Sequence, residues 1–207
     1  PGAMAVAVPG ASGPSGSAGT ATLRRYNGEM APAGDPAPDA SRPAPERLHP
    51  ILARGVLIDV AAARGVPALE PGQEITMADV REALSRQGLA GLRLLPGDAV
   101  LFRTGFRRPA GEPTAEPLPA PGIGIEVARW LTDSAQAGLV GSDTPRTEAV
   151  PATDPACGAC VRAHLLVRHG VPVLDGLDLD RLAADAAWRF LFVYTPGAPG
   201  TLPLAVR

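Results

Sequence analysis

The chain has 207 residues, 45% of them hydrophobic, and a formal net charge of −2. That is enough apolar material for one core of ordinary size. It provides no basic field to gather phosphates, Arg24-Arg25 and Arg107-Arg108 are too short to hold nucleic acid or an anionic membrane, and the apolar run Ala5 to Val8 is too short to span a bilayer. The expectation is a cytoplasmic protein with no nucleic-acid and no membrane partner.

Pro1 to Met4 is set aside from fold reasoning. Residues 5–22 and 30–46 are rich in Pro, Gly, Ala and Ser and bury too little surface to offset the entropy of ordering them. They read as arms without regular secondary structure, so residues 1–46 are expected to form a flexible N-terminal arm and 47–207 one α/β domain. Gly55 to Val60 is a continuous apolar, β-branched run with a single Asp, the pattern of a strand covered on both faces. Thr76 then caps a helix, with Asp79 at its third position and Val80, Ala83 and Leu84 on one stripe. Gly88 ends it. Asp98 to Thr104 reads as a second buried strand, residues 107–122 as a loop, and Ile123 to Ser134 as a second helix with Ile123, Val127, Trp130 and Leu131 inward. Gly138 to Asp143 is a third strand, Cys160 to His169 a third helix and Val171 to Leu174 a fourth strand. Trp188 to Tyr194 and Thr201 to Val206 close the chain as strands, with Trp130, Trp188, Phe190 and Phe192 at core spacing. Strand and helix alternate, so the fold class is α/β with a mixed β-sheet core and flanking helices.

The order of these segments is itself informative. RGVLIDVAAARGVPALEPGQEIT (54–76), LLPGDAVLFRTG (94–105), PGIGIEVARWL (121–131), GLVGSDT (138–144), HLLVRHGVPVLDGLDLDRLAADA (164–186) and FLFVYTP (190–196) together resemble the cyclase family, the kynurenine formamidase-like superfamily of metal-dependent amide and lactone hydrolases. The resemblance implies a swivelling β/α/β fold, a dimer or tetramer and a small-molecule substrate. It also implies a metal loop, His-x-Gly-Thr-His-x-Asp with a further His, just before a segment like Tyr26-Asn27-Gly28. Here Gly19-Thr20 survives, Ala21 replaces a ligand histidine, and Leu23-Arg24-Arg25 precedes Tyr26. The arm therefore carries a degenerate remnant of that loop. Two further family ligands, a His and a Glu, align on Arg162 and Asp175. A guanidinium stays protonated and cannot ligate a metal as imidazole does. The reading is therefore a site without metal or other cofactor.

Arg162, Asp175 and His164 are the candidate catalytic residues, and Arg162 and Asp175 should point at one another across the former metal position. Residues 162 and 164 lie about 200° apart on a helix, so a pocket-facing Arg162 turns His164 away. His169, before Gly170, suits a helix C-terminus. Tyr26, Asn27, Arg103, Thr104, Asp143 and Thr144 are candidate substrate-binding residues. The last four lie at predicted strand C-termini, where α/β sheets place their pockets, although Asp143 and Thr144 also suit a turn. Cys157 and Cys160 form one CxxC, open to a structural, a metal or a redox reading. Three functions stand side by side. One is a metal-independent cyclase-like enzyme that closes a ring, dehydrates or isomerises a carbonyl compound. The others are a binding protein of the same fold and a metal-dependent hydrolase rebuilt around Cys157, Cys160, His164 and Asp175.

Overall fold

The computed structural model describes residues 50–107, 118–152 and 160–195, with the backbone of residues 6–7, 22–24 and 30–32. The last three stretches are strands β1 (Val6–Ala7), β2 (Thr22–Arg24) and β3 (Met30–Pro32), paired antiparallel in that order. Residues 5–22 and 30–46 therefore do contain regular structure, contrary to expectation. Backbone pairing satisfies N–H and C=O groups without an apolar stripe, and composition alone does not reveal it.

The main sheet is built on β4 (Ile51–Asp59), which starts four residues before Gly55 because its first half pairs antiparallel with β10 (Arg189–Tyr194). Gly55 to Asp59 is the buried half. It pairs parallel with β6 (Ala99–Arg103), and β8 (Leu139–Ser142) and β9 (Val173–Leu174) continue the parallel ladder. The spatial order is β10-β4-β6-β8-β9. This is the mixed α/β sheet expected from the alternating pattern. Phe190, opposite Gly55, lays its ring where a Cβ would stand 2.4 Å from it, so glycine is the residue that fits there.

Helices cover both faces, as parallel strands require. On one face α1 (Val60–Arg64), α2 (Met77–Arg86), α3 (Ile125–Arg129) and α4 (Cys160–Arg162) pack Ala63, Val80, Val127 and Val161 against Val56, Ile58, Val100 and Phe102. On the other, α5 (Asp180–Ala184) joins Trp188, Phe190 and Phe192 over Leu57, Leu101 and Leu139. Val60, expected in the strand, instead opens α1, because the Asp59 carboxylate accepts from Ala62 N at 3.0 Å and caps it. Two short parallel strands, β5 (Glu74–Ile75) and β7 (Gly122–Ile123), pair beside the core. The strand expected at Thr201 to Val206 and most of the loop expected at 107–122 lie outside the described residues.

Two helices change winding part-way. α3 runs on as a π-helix over Trp130–Ser134, and α4 does so over Ala163–Arg168. α2 begins as its sequence indicates, with Thr76 and Asp79 forming a reciprocal capping box. Asp79 also takes a two-pronged ion pair from Arg64, at 2.8 Å on each oxygen. Burial pushes this carboxyl up, but the hydrogen bonds from Arg64 and Thr76 outweigh it and hold its pKa at about 2. A depressed folded pKa gives stability that is present above the unfolded value of about 3.9 and lost as pH falls through the folded one. The stability gap between wild type and Asp79→Asn, read from urea midpoints, should therefore shrink between about pH 4 and pH 2. A gap that stays constant across that window would contradict the assignment.

Candidate functional site

The C-terminal ends of β6, β8 and β9 deliver Thr104, Asp143 and Asp175 to one edge of the sheet, the position where open α/β sheets bind ligands. A cleft of ≈ 630 Å³ opens there, with Phe106, Arg107, Asp143, Pro145, Asp175 and Asp180 in its wall.

Asp143 ties two of these strand ends together. Its carboxylate accepts from Thr104 N at 3.0 Å on each oxygen, from Thr104 Oγ1 at 2.7 Å and from Gly105 N at 2.8 Å. Burial raises its pKa in spite of these donors. Gly105 makes the clamp possible, with φ of +73° and a hypothetical Cβ only 2.1 Å from the Pro67 carbonyl oxygen. Gly105→Ala is expected to lower stability by about 1–3 kcal/mol in urea unfolding. A change within about 0.5 kcal/mol would show that the turn relaxes freely.

Along the rim, Arg103 bridges buried Asp59, at 3.1 Å to both oxygens, and Asp180, at 3.0 and 3.1 Å. Arg107 reaches Asp180 as well. The Arg103 hydrogen bond leads in holding the Asp180 carboxyl below its ordinary range. Thr104 and Thr144 are fully buried. Thr144 spends its hydroxyl on Ser142 Oγ and the Arg146 carbonyl. Of the candidate substrate-binding residues, Asp143 reaches the cleft wall, whereas Arg103, Thr104 and Thr144 stand behind it as supports. Tyr26 and Asn27 lie outside the described residues.

Arg162 and Asp175 meet as their alignment implied. Arg162 Nη1 donates to Asp175 Oδ2 at 2.8 Å, with about a fifth of each side chain exposed. Thr147 Oγ1 donates to the other Asp175 oxygen at 2.7 Å. Beside them lies Glu148, which sequence reasoning missed. Backbone pairing of Ala120 with Val150 and of Ile123 with Thr147 fixes its segment. A Cβ on Gly122 would stand 2.3 Å from the Glu148 backbone, so only glycine permits that approach. Glu148 is 4% exposed, accepts from Arg162 N at 3.3 Å, and has Arg146 Nη1 3.9 Å from its Oε1. Burial pushes its carboxyl up. Its only sequence signal is an acid set between Thr147 and the apolar pair Ala149-Val150. Among the described residues, Glu148 Oε1 and Arg162 Nε are the buried side-chain atoms without a hydrogen-bond partner.

These groups do not fit a divalent ion. The guanidinium already supplies the positive charge facing Asp175, and a metal in that position would meet a fixed cation that offers it no lone pair. Cys160 is disulfide-bonded, so its thiolate is not offered as a ligand, and Cys157 lies outside the described residues. His164 is buried on another side of its helix, with Nε2 2.9 Å from Thr132 Oγ1 and its ring centroid 4.4 Å from that of His169. Burial and the neighbouring His169 lower its pKa. His164, His169 and Asp133 each bring one potential ligand atom within 4.8 Å of the others. Among the described residues no helix is long and apolar enough to cross a membrane.

The chain matches the family model described as "Putative cyclase" over residues 33–149. It is similar to a solved structure described as a novel cyclase, at 31% identity over 73% of this chain and 50% of that one, with a TM-score of 0.57. A second, isatin hydrolase A from Labrenzia aggregata bound to benzyl benzoate, shares 23% identity over 69% of this chain and 56% of that one, with a TM-score of 0.50. The latter likeness speaks for the fold. The chain thus spans about half the length of these solved relatives. No curated protein matches it.

Proposed function

Because the chain belongs to the cyclase family, we propose that it acts on a carbonyl-containing small molecule, by ring closure, dehydration or isomerisation, with a fixed guanidinium in place of a divalent ion. The observation that carries this reading is the Arg162–Asp175 ion pair at the edge of the cleft, together with Glu148 Oε1 and Arg162 Nε beside it, two buried atoms without a hydrogen bond among the described residues. Groups chosen for stability alone would have their hydrogen bonds filled.

In this reading each residue has a definite task. Of the four Nη–H donors of Arg162, one is given to Asp175, and those that remain polarise the substrate carbonyl where negative charge develops. Asp175, in the cleft wall and anchored by Thr147, keeps the guanidinium in place and accepts a proton from the carbon or oxygen next to that carbonyl. Asp143, in the cleft wall and shifted upward by burial, holds its own proton to higher pH than an exposed carboxyl and donates it to the intermediate. The proton taken by Asp175 passes back to Asp143 through solvent after turnover, while Glu148, behind the cleft, adds its charge to the field around Arg162. Asp59 and Asp180 fix Arg103 and the rim, which gives the cleft a rigid edge. His164 has no part in the reaction.

The purified protein should not hydrolyse N-formylkynurenine appreciably with or without added divalent metal, since no described group at the cleft fits a metal that would generate hydroxide. Chelator-sensitive formamidase activity would overturn the proposal. The positive test is a panel of lactones, cyclic imides and isatin, followed by mass spectrometry with chelator-treated protein. Conversion or tight binding of one class, lost in Arg162→Lys, supports the reading. Binding unaffected by that variant would place the site elsewhere.

A further inference from the structure

We infer that Asp133, His164 and His169 form a binding site for a borderline divalent cation such as Zn²⁺, separate from the cleft. One carboxylate and two imidazoles make a donor set that zinc accepts, with water completing the coordination. One ligand atom from each residue lies within 4.8 Å of the others, a spread that one ion bridges. The two rings already face one another at 42° with centroids 4.4 Å apart.

The π windings build this arrangement. In an α-helix, residues five apart point about 140° away from each other. His164 and His169 come together because the segment Ala163–Arg168 is wound as a π-helix, which brings positions five apart onto one side. Asp133 lies in the other π segment, Trp130–Ser134, on the neighbouring helix. Two adjacent helices thus depart from α geometry where the three ligands converge, and π turns concentrate at functional positions.

Thr132 completes the surroundings. Its Oγ1 lies 2.9 Å from His164 Nε2 and also within reach of Asp133 Oδ1, at 2.9 Å, and the Arg129 carbonyl, at 3.0 Å. A hydroxyl has one proton, so when Nε2–H donates to Thr132 the hydroxyl passes its own proton to one acceptor at a time, Asp133 Oδ1 or the Arg129 carbonyl. His164 Nδ1 then carries the lone pair, and Thr132 fixes the tautomer as partners of metal-bound histidines do. Buried His164 is held in place, while Asp133 and His169 are exposed and open to an arriving ion. Arg129 and Arg168 also face the imidazole. They oppose a dication, so the site binds it more weakly than the same three ligands would without them.

Calorimetric titration of ZnCl₂ into the chelator-stripped, disulfide-intact chain at about pH 7.5 tests the site. One binding event is expected, weakened at least about tenfold in both His169→Ala and Asp133→Asn, whose exposed side chains can be replaced without disturbing the core. Asp175→Asn should bind as wild type does, and zinc should raise the melting temperature of wild type but not of His169→Ala. Absence of zinc binding by wild type overturns the inference. So does wild-type affinity in His169→Ala and Asp133→Asn, or a loss of binding that follows Asp175→Asn or Cys157→Ser.

Discussion

Arg162→Ala is expected to lower unfolding free energy by about 2–4 kcal/mol, a figure for breaking a buried pair reduced for the partial exposure of this one. Among the described residues, the alanine would leave Asp175 with the Thr147 hydroxyl as its side-chain donor and would remove one of the two guanidinium groups, Arg162 and Arg146, beside buried Glu148. The cost is therefore the desolvation of two carboxylates, far more than the loss of one hydrogen bond. Asp175→Asn should cost less, because the amide oxygen still accepts from Arg162 and that guanidinium keeps Glu148 nearby. The double variant should come out less destabilised than the sum of the two singles, since removing both charges leaves less unpaired. Urea unfolding of the four proteins gives the coupling directly. Additive effects would show that the two side chains are neighbours without being energetic partners.

Asp143→Ala should be comparably damaging, at about 2–4 kcal/mol, for a different reason. It removes the acceptor for Thr104 N, Thr104 Oγ1 and Gly105 N, and Thr104 is fully buried. Orphaned buried donors cost about 1–3 kcal/mol each, partly recovered where water can enter. Asp143→Asn keeps an acceptor but turns an N–H₂ group toward donors, so it should lie between alanine and wild type. The pH dependence has a definite sign. A carboxyl whose folded pKa is raised contributes stability that is full below its unfolded value of about 3.9 and lost as pH rises through the folded one. Wild type should therefore lose stability relative to Asp143→Asn as pH climbs upward from about 4. An advantage for wild type that grows with pH would mean that the N–H donors outweigh burial at this carboxylate.

The strands at the centre of the sheet were legible because a parallel strand covered on both faces is a near-continuous apolar run. The stretches read as strands, Gly55 to Val60, Asp98 to Thr104 and Gly138 to Asp143, are apolar over their central residues and bounded by glycine or polar residues. The start of α2 was equally legible, since Thr76 and Asp79 form a local device with a fixed spacing. α1, α5, β5 and β7 are two to five residues long and too short for periodicity to register. The π windings were invisible for a stronger reason. A helical pattern read at 3.6 residues per turn separates His164 from His169, so their contact exists only after the chain departs from that period. At the cleft, Arg162 and Asp175 were located through the family resemblance, with their opposite charges supplying the physical argument. Glu148 was not, because nothing local distinguishes a buried acid from an exposed one. Its burial comes from Gly122 and the strand-like pairing around it, which are tertiary facts.

We propose that a guanidinium does the work of a metal at this cleft. The most direct test is the turnover of the best carbonyl substrate from the panel by wild type and Arg162→Lys, each measured after exhaustive chelation and again with added Zn²⁺ or Mn²⁺. A lysine keeps the charge but loses the planar fork, so it separates positioning from simple electrostatics. The account predicts that chelation leaves wild-type kcat/KM within about twofold, and that Arg162→Lys falls by at least about a hundredfold, as for the loss of one positioned donor. Activity abolished by chelation and restored by metal, with Arg162→Lys as active as wild type, would contradict it.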